Sequence, residues 1–161
     1  MPAGCLYETP LAEQSDAPVE PALLGTWEFV PPEEKSNEIE RMLILAFSGT
    51  EYLVQYPVGG NDEAYYRAYA ARVGDVPCVQ LQLIGTPAGP PKDDPTLYHV
   101  AVCTLDGDEL EIKFLNTDLV GTDLKTSDEL RAKFLEHRNN PDLFTNAGKW
   151  RRATPPSTEK K

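Results

Sequence analysis

Val76-Pro77-Cys78-Val79-Gln80-Leu81-Gln82-Leu83-Ile84 and Leu97-Tyr98-His99-Val100-Ala101-Val102-Cys103-Thr104, with Asp108-Glu109-Leu110-Glu111-Ile112-Lys113-Phe114-Leu115 after them, decide the fold. In the first run Val79, Leu81 and Leu83 alternate with Gln80 and Gln82, and in the third Leu110, Ile112 and Phe114 alternate with Glu109, Glu111 and Lys113. A period of two places successive side chains on opposite faces, the mark of a half-buried strand. Setting Cys78 opposite Cys103 predicts that Val79 faces Val102, Leu81 faces Val100 and Leu83 faces Tyr98, with Gln80 against Ala101 and Gln82 against His99 on the other side. A three-residue loop, Leu105-Asp106-Gly107, puts Gly107 at the left-handed position and pairs Val102 with Leu110, Val100 with Ile112 and Tyr98 with Phe114. One apolar face then runs through all three strands, and a slip of one residue would exchange the faces.

The same alternation extends outward. Candidate strands fall at 23–30, 39–47, 51–57, 64–73, 76–84, 97–104, 108–115 and 149–153. Ser48-Gly49-Thr50, Gly59-Gly60-Asn61-Asp62 and Gly74-Asp75 supply turn residues between neighbours. One helix is expected at 127–138: Thr126 caps it, Glu129 completes a capping box, and Leu130 and Phe134 share its apolar side near His137. The fold class that follows is mainly β, an eight-stranded antiparallel up-and-down barrel with one helix before the last strand.

At 161 residues the chain suits one domain, expected at 22–153. Residues 1–21 read as a flexible leader or tether, with Pro10, Pro18 and Pro21, and residues 154–161 as a disordered tail. The net charge of −11 sets a repelling field against nucleic-acid phosphates and anionic membranes, so no nucleic-acid partner is expected. No apolar run approaches the length of a spanning helix, so any membrane contact would be through a lipid anchor.

No catalytic or metal-binding constellation stands out, and neither an enzyme activity nor a cofactor is expected. Only two histidines occur. His99 reads as a residue of the polar face, and His137 as a complement to the helix C-terminal dipole. The carboxylates of Asp93-Asp94, Asp106 with Asp108, and Asp128-Glu129 lie in turns or at the helix start, without EF-hand spacing. Cys78 and Cys103, opposed in the predicted register, are candidates for a disulfide, or else two reduced thiols; neither has a second ligand at zinc spacing. Tyr52, Tyr56, Tyr65 and Tyr69, in the tyrosine-rich stretch that also holds Tyr66, are the candidate ligand-binding residues. Alternation fits a filled barrel as well as one hollow enough for a small ligand.

Ala3-Gly4-Cys5 resembles the lipobox of bacterial lipoproteins, which implies lipidation at Cys5, although Pro2 stands where an aliphatic residue is usual. Leu24-Gly25-Thr26-Trp27 on the first strand and Trp150-Arg151-Arg152 on the last resemble the lipocalin-like (calycin-type) superfamily. There a Gly-x-Trp motif closes one end of the barrel and an arginine of the last strand packs on the indole. The resemblance implies structural roles for Trp27 and for Arg151 or Arg152, through a cation–π contact. Residues 22–153 also resemble small bacterial lipoproteins of unknown function, in the Gly-x-Trp start, the stretch Tyr65-Tyr66-Arg67-Ala68-Tyr69 and a late Leu143-Phe144. Together these imply a periplasmic, lipid-tethered envelope protein holding a small apolar ligand. The alternative is a filled barrel that contacts an envelope protein through its acidic outer face or the loop at 87–95.

Overall fold

A computed structural model of the chain describes residues 10–11, 15, 17–31, 39–59, 62–74, 76–89, 98–121 and 124–153. Eight strands, β1 (Gly25–Val30), β2 (Arg41–Ala46), β3 (Tyr52–Tyr56), β4 (Ala64–Val73), β5 (Val76–Gly85), β6 (Tyr98–Asp106), β7 (Glu109–Leu115) and β8 (Phe144–Arg152), follow one another in chain order. Every strand pairs antiparallel with the next and β8 closes on β1, so the sheet is a closed up-and-down barrel. Closure leaves no unpaired sheet edge. The last strand begins earlier than its sequence pattern suggests, because the apolar Phe144 pairs with Leu115 well before the basic Trp150-Arg151-Arg152 end.

Two helices precede β8, a single turn α1 (Thr117–Val120) and the longer α2 (Ser127–Glu136). Thr126 and Glu129 form the capping box read from the sequence, each side chain accepting the other's backbone N–H. Leu130 and Phe134, both 0% exposed, seat α2 against the outer wall of the barrel, on Ala71, Val73, Cys78, Val100 and Leu115. The molecule therefore has two apolar clusters, one inside the barrel and one between its wall and α2.

That second cluster overturns the predicted register. Val79 pairs with Ala101 and Leu81 with His99, so β6 is shifted by one residue against β5 and presents its other face inward. Across the next hairpin Leu105 pairs with Leu110 and Asp106 with Glu109, a loop of two residues with Gly107 at φ 63°. The physical reason is that β6 is covered on both sides. Val100 is buried under α2 while Ala101 and His99 are buried toward the lumen, so alternation could not fix its phase. The Cys78–Cys103 disulfide fails with the register: Cys78 belongs to the outer cluster, Cys103 packs against the inner one, and the two are not joined.

The leader is also more than a tether where it is described. Leu11 is fully buried in the outer cluster. Its N–H donates to Gln80 Oε1, Arg131 donates to its carbonyl at 3.1 Å, and Ser127 Oγ donates to the Pro10 carbonyl at 2.6 Å. Farther along, the Val19 N–H donates to the Gly49 carbonyl and the Glu20 N–H to the Tyr52 hydroxyl, which holds 19–20 at one end of the barrel. Cys5 and the tail at 154–161 lie outside the described residues.

Candidate functional site

Inside the barrel is a cavity of about 500 Å³. Such a volume falls within the range of small-molecule sites, roughly 300 to 1,000 Å³. Strands β2 to β4 contribute alternate residues: Met42 and Ile44 from β2, Tyr52, Val54 and Tyr56 from β3, Tyr66, Ala68 and Ala70 from β4. The far wall is Val79 and Leu81, then His99, Ala101 and Cys103, then Leu110, Ile112 and Phe114, with Trp150 from β8. The small side chains of Ala68, Ala70 and Ala101 stand where larger ones would fill the lumen. This is why the barrel is hollow rather than packed through.

One end is stoppered by the chain before β1. Val19 and Leu23 line the cavity there, Val19 before and Leu23 at the end of a 3-10 turn at Pro21–Leu23 that carries the chain into Gly25. Trp27, 0% exposed, sits beneath this turn and donates from Nε1 to the Leu23 carbonyl at 3.0 Å. Arg152 lies over the indole with its guanidinium carbon 4.4 Å from the ring centroid, and donates to the carbonyls of Leu24 and Ala22 and to Asp108. Gly25 takes φ 121°, and a side chain there would meet the Arg152 guanidinium at 3.4 Å. The positive φ is what calls for glycine here. Arg151 instead pairs across the ladder with Glu28 and Glu109 and is exposed.

Two aromatic groups frame the lumen. Trp150 meets Phe29 and Tyr56 edge-on, with centroids 5.2 and 5.3 Å away. His99 lies between Phe114 at 5.5 Å and Tyr66 at 6.4 Å. Ring contacts of this kind, three edge-on and the Tyr66–His99 pair tilted, fix the rings and leave apolar surface toward the cavity. Burial, first, and the bond its hydroxyl donates to Glu40 push the Tyr56 hydroxyl well above the usual tyrosine range. Burial also raises the Tyr52 hydroxyl, and it pushes the Cys103 thiol up to about 12. All three groups stay neutral near pH 7.

Of the four tyrosines singled out in the sequence, Tyr52 and Tyr56 line the cavity and Tyr65 and Tyr69 do not. Tyr65 donates to Glu63, and Tyr69 is buried on the outer face of β4, opposite Gln80, with Arg67 over its ring at 5.3 Å. Tyr66, outside those four, is a cavity tyrosine too. Its signal was present: it pairs with Val54, so it shares a face with the Tyr52 and Tyr56 alternation. His99, expected on the polar face, is instead 5% exposed and turned inward with the shifted β6. Among the described residues no group of three or more His, Cys, Asp or Glu side chains is placed to hold a metal ion, and no helix is long and apolar enough to cross a membrane. No protein-family model matches the chain, and comparison with curated proteins returns no match.

Proposed function

We propose that this protein is a lipocalin-like carrier that holds a small apolar molecule inside its barrel. The observation that supports the reading best is the cavity itself, about 500 Å³ walled mainly by aliphatic and aromatic side chains and stoppered at the Trp27 end. Apolar surface held away from close packing forfeits dispersion contacts that a ligand restores. The anchoring of this carrier to a bacterial envelope through Cys5, with the barrel on the periplasmic side, is part of the same proposal and rests on Ala3-Gly4-Cys5.

Native mass spectrometry of the protein purified from its own host, without organic solvent, tests the binding. We expect a stoichiometric additional mass that is lost on denaturation. Repeated absence of any bound mass, together with failure of a delipidated preparation to take up an apolar fluorescent probe, would overturn the reading.

A further inference from the structure

The described residues that line the cavity include no lysine and no arginine. Glu20 is their one carboxylate, and it is exposed and turned to accept the Ala22 N–H in the turn at Pro21–Leu23. The remaining wall is aliphatic and aromatic apart from the His99 imidazole, the Tyr52 and Tyr56 hydroxyls and the Cys103 and Cys78 thiols, and burial favours the uncharged forms of Tyr52, Tyr56 and Cys103. Around this interior the chain carries a net charge of −11.

These facts act differently on ligands of different charge. A carboxylate is repelled on approach by the field of the whole molecule and finds no lysine or arginine among the described lining residues. An ammonium is drawn toward the surface by the same field, but inside it gives up its water with no carboxylate in the wall to replace it. Long-range attraction across salt water is weak beside the loss of a hydration shell, so desolvation decides the outcome for the cation. A neutral molecule incurs neither penalty, and the flat faces of Trp150 and His99 and their neighbours supply contact surface.

We infer that the cavity selects uncharged apolar molecules and excludes both the carboxylate and the ammonium of the same skeleton. This rests on the binding reading above and adds to it the charge class of the ligand.

The test uses three probes with one fused-ring skeleton: 2-naphthol, 2-naphthoate and 2-naphthylmethylamine. Each is titrated calorimetrically into the delipidated full-length protein at pH 8. Naphthol is expected to bind with a dissociation constant at least tenfold below that of either charged probe. Binding should vanish in Ala101→Phe, which puts a ring into the lumen at a site 0% exposed, and in Ala68→Leu should the first variant lose its circular-dichroism spectrum. A charged probe that binds within tenfold of naphthol overturns the charge selection while leaving the binding reading intact. Naphthol binding that survives in a folded lumen-filling variant overturns the cavity as its site. If none of the three probes binds, the carrier reading itself falls.

Discussion

Trp27 and Arg152 show how much a single residue position decides here. The Gly25-x-Trp27 pattern marked the closing end, but the pattern could not choose between Arg151 and Arg152, because adjacent strand residues point to opposite faces. Pairing of Trp27 with Arg152 across β1 and β8 makes that choice, and the guanidinium then serves four partners: the indole, two carbonyls and Asp108. Cys103 carries a consequence that can be measured. Its thiol is pushed from an ordinary 9.0 to about 12 by burial, so the folded protein keeps a proton that the unfolded chain gives up. Stability is therefore whole below about pH 9 and falls as the pH rises toward about 12, by about 1.4 kcal/mol per pH unit from this group alone. Cys103→Ser, which leaves Cys78 in place in both proteins, should flatten the slope of unfolding free energy between pH 9.5 and 11 by about one proton. Urea titrations at several pH values read it, and equal slopes for the two proteins would mean that the thiol titrates as if exposed.

At the level of elements, alternation located all eight strands and the capping box located α2, yet the strand phase failed where both faces of a strand are covered. Tyr98-His99-Val100-Ala101-Val102 has apolar residues at odd and even positions, and only the presence of α2 over Val100 tells which set faces in. The same cover hid Leu11. In a proline-rich polar leader it reads as a residue of a tether, but the groove between α2 and the wall takes its side chain fully, and Gln80, Ser127 and Arg131 hold the backbone of 10–11. Gln80 is satisfied on its other side as well, donating from Nε2 to the His99 carbonyl at 2.9 Å. Leu11 thus ties α2 to β5 and β6. Leu11→Ala should cost about 2 to 4 kcal/mol, the usual toll of a buried Leu→Ala change. The loss should concentrate in α2, so amide exchange at Leu130 and Phe134 should accelerate more than exchange at Met42 and Val54 on the far side of the barrel. Unchanged exchange in α2 would show that the segment rests on the groove without stabilising it.

The whole molecule joins a well-packed outer cluster to an open interior, and this asymmetry sets its response to a ligand. The eight strands are hydrogen-bonded in one closed cycle, so the barrel is expected to unfold as a unit and not strand by strand. Anything that binds inside the folded barrel and not the unfolded chain then stabilises the entire cycle by mass action, by about 2.7 kcal/mol at a hundred times the dissociation constant. For a chain of this size each kcal/mol moves the melting temperature by roughly 2 to 4 °C, so saturation with a neutral naphthyl probe should raise it by roughly 5 to 10 °C. Scanning calorimetry checks this, with Ala101→Phe as the reference whose melting temperature the probe should leave alone. The comparison separates lumen binding from adsorption to the exposed outer side chains of Leu45 and Phe47, since those residues are the same in both proteins. A shift of equal size in the folded lumen-filled variant would place the stabilising contact on the outside of the barrel. A rise confined to the hollow protein would tie the stability of all eight strands to what the lumen contains.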